Sequence, residues 1–187
     1  MPGWAPPPFP PRAALAGRWC ALEPLDPARH AVDLWRAMAG ADDLWTYMFD
    51  GPFADSHAFG AGLARAVGRS DVVGFAIVSD GAARGIASFM RIEPAMGCIE
   101  IGAICFAPSL QRSRAATEAL IALIRAAFAL GYRRIEWKCD ALNAPSRRLA
   151  QRLGFSFEGV FRNHMVVKWR NRDTAWYAMT DSDRPAL

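Results

Sequence analysis

The chain has 187 residues, 52% of them hydrophobic and 21% charged, with a formal net charge of +4. That length suits one domain with a sizeable core, and the composition is globular rather than disordered. No apolar run approaches the roughly 18 to 20 uncharged residues that span a bilayer, which argues against a membrane protein.

The N-terminus, "MPGWAPPPFPPRAALAGRW", lacks a basic segment followed by an apolar one and does not read as a secretory signal. Its prolines favour an extended, polyproline-like arm on the surface or crossing to a partner. Residues 1–16 are therefore set apart as an arm and 17–187 as a domain. "GRWCALEPLD" reads as a strand. "PARHAVDLWRAMAG" predicts a helix with a proline start, apolar Val32, Leu34, Trp35 and Met38 on one face, and a terminal glycine. "DSHAFGAGLARAVG" predicts a second helix, capped by Asp55 or Ser56. Two strands around Asp80-Gly81 form a hairpin, and "GCIEIGAICFAP" is a further strand ended by Pro108. The period then changes. Leu120, Leu123, Ile124, Ala127 and Phe128 share one face of a long helix, about 112–130, that stops at Gly131. "RRIEWKCDAL" is a strand, "APSRRLAQRLG" a short helix, and "FSFEGVFRNHMVV" and "DTAWYAMTD" are the last two strands. The order β-α-α-β-β-β-α-β-α-β-β, with no repeat or linker, predicts a single mixed α/β domain.

Cys20, Cys98, Cys105 and Cys139 form no CxxC pair and no cluster at zinc spacing. They read as buried thiols in a reducing cytoplasm, and no metal site is expected. Between 131 and 172 there are ten basic residues against three acids. Such a patch favours a polyanion, whether nucleic acid, an anionic surface or a phosphorylated cofactor; a solvated basic face is the plainer alternative.

The loop "APSLQRSRAATEA" joins a strand to the long helix. Helix N-termini present unpaired N–H groups and a partial positive charge, and so bind phosphate. Arg112 and Arg114 add charge, Ser113 and Thr117 add hydroxyls, and the small Ala115 and Ala116 would let an anion approach the backbone. The segment reads as a phosphate cradle or as a capped helix with exposed arginines.

Taken in order, "GRWCALEPLD", "IASFMRIEP", "IEIGAICFAP", "QRSRAATEAL", "NAPSRRLAQRLGFSFEGVFR" and "RNRDTAWYAM" resemble the GNAT (Gcn5-related) N-acetyltransferases, most closely the ribosomal-protein branch of RimJ and RimL type. The resemblance covers about residues 17 to 181. It implies a mixed central sheet splayed between the fourth and fifth strands, with acetyl-CoA in the gap. The pantetheine arm would run as a pseudo-strand along Ile104, Cys105 and Phe106. The pyrophosphate would sit on the loop whose family pattern is Gln/Arg-x-x-Gly-x-Gly/Ala. Gln111 and Ala116 match that pattern, while Arg114 stands where the central glycine should be. Asn143, just past the fifth strand, would hydrogen-bond the pantetheine; it is equally suited to cap the short helix.

Acetyl transfer needs a neutral amine, a donor for the carbonyl oxygen and a proton for the departing thiolate. The position where many family members carry an acidic tyrosine is Ala150 here. The RimL-like serine corresponds to Ser146, which takes that role by resemblance. The RimL-like glutamate corresponds to Met165, so the base is open between Glu100 and His164; strand alternation could turn His164 away from the cleft. Asp173 is expected to pair with Arg170 or Arg172. Trp45, Tyr47 and Phe49, with Phe53, form an aromatic group that either lines an acceptor pocket or belongs to the core. A lysine amine is neutral in only roughly one molecule in 2,500 at pH 7 and an α-amine in about one in seven. The acceptor is therefore expected to be a low-pKa amine, on a small molecule or a protein N-terminus. The arm and the resemblance raise a homodimer. Two rivals are a catalytically silent acetyl-CoA binder, suggested by Arg114, Ala150 and Met165, and a nucleic-acid binder using the basic stretch with Trp137 and Trp169.

Overall fold

The computed structural model of the protein describes residues 3–183. Met1 and Pro2 of the arm, and 184–187 of the domain, lie outside the described residues. Strands β1 (Leu15–Ala16) and β2 (Ala21–Pro24) open the sheet, so pairing begins inside the proline-rich segment. Helix α1 (Pro27–Met38) is started by Pro27 and by Asp26, whose carboxylate accepts the Ala28 N–H at 2.9 Å. It buries Leu34 and Met38 as expected, but Val32 is 65% exposed and His30 takes the inner position instead. The imidazole is tolerated there because it accepts the Asp26 N–H and meets Glu23 at 3.2 Å. Helix α2 (Ser56–Val67) is capped by Asp55.

Strands β3 (Val72–Ser79) and β4 (Ala82–Glu93) form the hairpin at Asp80-Gly81, both at positive φ. Strand β5 (Cys98–Phe106) follows, then α3 (Arg114–Ala129), β6 (Arg134–Asp140), α4 (Ala144–Arg152), β7 (Ser156–Val167) and β8 (Arg170–Thr180). The sheet order is β1-β2-β3-β4-β5-β6-β8-β7, and β5 with β6 is its one parallel pair. Alternation along β3 explains the layers. Phe75 and Ile77 pack with α3 residues Leu120, Leu123 and Ile124 on one face, while Ala76 faces Leu34, Phe59 and Leu63 of α1 and α2 on the other.

The feature that shapes the molecule is the β5/β6 pairing. It holds Cys98 to Arg134, Ile99 to Ile135 and Glu100 to Glu136, and then stops. Beyond Glu100 the strands part; Ala103 takes a left-handed φ of 50°. Strand β6 keeps its other edge fully paired to β8, from Arg134 to Asp140. The predicted fourth and fifth strands are β5 and β6, and the sheet is splayed between them. Among the described residues, no helix is long and apolar enough to cross a membrane.

The arm packs on its own domain: the Tyr132 hydroxyl donates to the Pro8 carbonyl, and Arg12 donates to the Val67 carbonyl. Behind it, one carboxylate organises the turn between β1 and β2. Glu118 of α3 accepts the N–H groups of Arg18, Trp19 and Cys20 at 2.8, 2.7 and 3.0 Å. Gly17 is required there, since a Cβ would collide with that carboxylate. Burial alone would raise the Glu118 pKa, but the donated bonds outweigh it and hold it below the usual carboxylate range.

Glu118→Ala strands three donors and should cost about 1–3 kcal/mol of stability by urea denaturation. Because the folded pKa is depressed, this stabilisation is present above the unfolded carboxyl pKa and fades as pH falls through the folded value. In Glu118→Gln the acid-side loss should be smaller than in the wild type.

Candidate functional site

Each of the parted strands leads into a helix, β5 into α3 and β6 into α4. At the first, the loop from β5 turns through Arg112 at a left-handed φ of 57°, so the unusual backbone sits there and not at Arg114, which is the first residue of α3. Ser113 caps α3: its Oγ accepts the Ala116 N–H at 3.0 Å and donates to the Leu110 carbonyl at 2.6 Å. The Thr117 hydroxyl donates back to the Ser113 carbonyl, and the Gln111 amide to the Phe106 carbonyl. These hydroxyls are committed to the fold. The Ala115 and Ala116 methyls pack into the core. What the turn presents is the N–H groups of Arg114 and Ala115, which make no hydrogen bond among the described residues, with the exposed Arg112 and Arg114 side chains beside them. Arg114 also lies 5.7 Å from the Trp19 ring centroid.

At the second helix, Asn143 accepts the Ser146 N–H at 3.1 Å and caps α4. The cap uses only its carbonyl oxygen, and its amide NH2 has no hydrogen-bond partner among the described residues. Ser146 Oγ accepts from Trp137 Nε1 at 3.0 Å. Asn143 and Ser146 line a cleft of about 380 Å³ that also takes in Glu100, Ile104, Lys138, His164 and Arg172. Past Glu100 the β6-facing edge of β5 has no ladder partner, so its backbone groups are open to that cleft. Cys105 does not share the cleft. Its side chain is buried against the α1/α2 cluster, and burial pushes its thiol up to about 12.

Glu100 faces the cleft, not solvent. It is 4% exposed and held by Lys138 Nζ at 3.1 Å and Arg91 Nη1 at 3.3 Å. Burial dominates these attractions and raises its pKa above the ordinary carboxylate value. His164 also lines the cleft, although adjacent Met165 does so too. Simple alternation would separate them; a register shift between Phe161 and Met165, with Asn163 at φ 49°, breaks it. The His164 Nδ1 lies 2.9 Å from Thr174 Oγ1.

The aromatic group divides. Tyr47 and Phe49 line the cleft, and the Tyr47 hydroxyl donates to the Leu142 carbonyl. Trp45 does not: it is 6% exposed and packed edge-on to Phe53 and Phe59 in the core, which corrects its assignment to the pocket. The turn after β7 fixes this loop, with Lys168 Nζ donating to the Trp45 and Asp50 carbonyls and Arg170 to that of Thr46. Asp173 pairs with neither arginine. It accepts the Asn163 N–H at 2.7 Å and the Asn171 amide, so it shapes the bulge instead. The basic stretch is largely spent within the fold: Arg134 on Glu136 and Glu158, Lys138 on Glu100 and Glu136, Arg147 on Tyr177.

Arg172 and Lys138 are cleft residues that the sequence reading passed over. Alternation on β8 could have flagged Arg172, since it shares a face with Thr174. Lys138 needed the β6/β8 pairing to be seen. Among the described residues, no group of three His, Cys, Asp or Glu side chains could hold a metal ion.

A family model described as an acetyltransferase (GNAT) domain matches residues 20–156. No curated protein matches the sequence. The crystal structure of a probable GNAT-family acetyltransferase from Chromobacterium violaceum is 44% identical, over 98% of this chain and 93% of its own, at a TM-score of 0.93. That of a GCN5-related N-acetyltransferase from Brucella melitensis is also 44% identical, over 100% of this chain and 86% of its own, at 0.96. An acetyl transferase from Salmonella typhimurium, said to modify the N-terminal serine of a 50S ribosomal subunit protein, is 20% identical over 90% of this chain and 99% of its own; at a TM-score of 0.78 it shares the fold.

The two uses of Asn143 can be separated. Asn143→Ala should lose about 1 kcal/mol through the missing cap, whereas Asn143→Asp keeps the acceptor and should stay within about 0.5 kcal/mol of wild type in the same urea titration.

Proposed function

The chain belongs to the GNAT acetyltransferases, enzymes that use acetyl-CoA as co-substrate, and we propose that it transfers the acetyl group directly to a low-pKa primary amine in the β5/β6 cleft. The observation that carries this reading is the convergence of Asn143, Ser146 and Glu100 on one cleft beside an open strand edge. The bound thioester supplies an activated acetyl group. The residues present suit such a ligand. Open backbone groups along β5 can pair an extended amide-bearing arm, and the free N–H groups and two arginines at α3 suit a diphosphate. Asn143 has an amide proton pair left to give.

Each proton then has a holder. Glu100 takes one proton from the bound ammonium and frees the amine lone pair to attack the thioester carbonyl; burial makes it a stronger base than an ordinary carboxylate. Ser146 accepts a hydrogen bond from Trp137, and its hydroxyl, which is within hydrogen-bonding reach of Cys139, can turn to donate a hydrogen bond to the departing thiolate, which takes up the second proton released by the amine. His164, exposed and tied to Thr174, acts at the mouth of the cleft, where it positions the acceptor. A covalent acyl-cysteine is disfavoured, because burial raises the Cys105 and Cys139 thiols and leaves little thiolate. The low-pKa acceptor follows from a single carboxylate base held between two cations, which extracts a proton from an α-amine far more readily than from lysine. We read the protein as RimL-like in this sense, with a free N-terminus or a small α-amine as acceptor. A homodimer through the edge strand β7 belongs to the same reading, since Phe157, Phe161 and Val166 are exposed along it.

Acetyl-CoA at a hundredfold excess over Kd should add about 2.7 kcal/mol and raise Tm by roughly 5–11 °C; the absence of any shift would remove the acetyltransferase reading for this chain. In steady-state CoA release, Glu100→Gln should lower kcat by about 10²-fold or more, and His164→Ala by less than about tenfold. As pH falls, Glu100 protonates and activity drops on a limb lying above the ordinary carboxylate pKa. That limb should be missing in Glu100→Gln.

A further inference from the structure

The floor of the cleft carries a cation that the fold does not use. Arg172 is 7% exposed, yet its Nε has no hydrogen-bond partner and no carboxylate lies within ion-pair distance of it among the described residues. The neighbouring acids are occupied elsewhere. Glu100 is shared by Lys138 and Arg91, and the Asp140 carboxylate accepts the Leu142 N–H at 2.9 Å. Lys138 is also paired with Glu136 at 2.6 Å, so the ion pairs on this floor join Lys138 and Arg91 to Glu100 and Glu136 and none of them includes Arg172. A buried guanidinium without an anion is costly, and most of this chain's other buried or half-buried cations have one. The Arg172 guanidinium also lies over an aromatic ring: its Cζ is 4.9 Å from the Phe49 ring centroid, and Phe49 is itself 51% exposed at the cleft wall.

We propose that Arg172 is the anchor for a carboxylate carried by the acceptor, so that the substrate is a primary amine bearing a carboxylate. This deepens the proposed acetyl transfer and rests on it. The guanidinium fork matches a carboxylate with two parallel N–H···O bonds, and Phe49 covers the pair from one side. Arg172 shares the cleft with Glu100 and Ser146, so an anchored acceptor would have its amine held near the groups that move protons. Nε is shut off from solvent, so the carboxylate would meet the guanidinium through its two Nη groups. Arg172 stands apart from the α3 turn, so its role is distinct from phosphate binding. The carboxylate can come from a free amino acid or from an acidic side chain close to a peptide's N-terminus, and the two sources share this chemistry.

The test uses matched acceptors with wild-type protein, Arg172→Gln and Arg172→Lys. One pair is an amino acid and its carboxamide; the other is a short peptide with Asp at its second position and the same peptide with Asn. Initial rates of CoA release should give the carboxylate member of at least one pair a kcat/KM about tenfold or more above its partner. The pair that shows it identifies the source. In Arg172→Gln that ratio should fall to near one, chiefly through KM, and Arg172→Lys should restore part of it. A wild-type ratio near one in both pairs, or a preference that survives Arg172→Gln, overturns the proposal. The acetyl-CoA melting shift keeps the two levels apart. If the shift is present in all three proteins but no amine turns over, acetyl transfer itself fails, and calorimetric titration of the CoA-bound protein decides the anchor. The carboxylate member should then bind wild type at least about tenfold more tightly than Arg172→Gln, and equal or absent binding rules the anchor out.

Discussion

Everything functional in this protein depends on a parallel ladder that stops early. Strands β5 and β6 are paired only from Cys98 to Glu100 and from Arg134 to Glu136. A sheet interior normally satisfies both edges of every strand, so parting two central strands leaves backbone donors and acceptors that a ligand or water must meet. The site lies where theory places ligands in such sheets, at the carboxyl ends of neighbouring parallel strands. Each of those strands is followed by a helix, α3 or α4, and the start of α4 lines the cleft through Asn143 and Ser146. A single topological choice thus supplies an open strand edge, two helix starts and a cleft.

The fork is held by charge as well as by backbone. Glu100 and Glu136, the last paired residues, share Lys138, and Glu136 passes the chain of ion pairs to Arg134 and Glu158. Buried ion pairs contribute little net stability, because desolvation offsets attraction. Their value here lies in position: Glu100 stays fixed at the apex of the gap, with its proton affinity raised by burial. The local excess of positive charge looks like a polyanion-binding face when read along the chain. Folded, much of it is taken up by Glu100, Glu136, Glu158, Tyr177 and loop carbonyls, while Arg148, Arg152 and Arg162 stay on the surface and Arg172 is buried without an ion pair.

The far wall is built by chain that is distant in sequence. The turn after β7 reaches across to the loop after α1, where Lys168 and Arg170 bind its carbonyls and hold Tyr47 and Phe49 over the cleft. The bulge at Asn163, tied down by Asp173, lets His164 and Met165 face the same space. Local backbone irregularity therefore sets which side chains line this wall of the cleft, while regular strands set the opposite edge. On this wall the bulge and loop contacts, rather than regular pairing, decide what is presented.

The sequence by itself determined the order of helices and strands from β2 onward, a cap at Asp55 or Ser56, the Asp80-Gly81 turn, the face of α3 and the helix start at Asn143; it missed the short β1 inside the arm. These are local signals of periodicity and turn chemistry, set by neighbours within a few residues. It also carried the ordered motifs that placed the chain in its family. It could not say whether Trp45 belonged to the core or the cleft, because both uses ask for the same aromatic residue and only Phe53 and Phe59 decide between them. Nor could it assign partners to Asp173, or show that His164 escapes strand alternation, because a bulge depends on the register with β8. Tertiary structure alone decided which charges are consumed and which remain. Ion pairing is a matter of distance across strands, and Arg172 is the residue that this accounting leaves buried and unpaired.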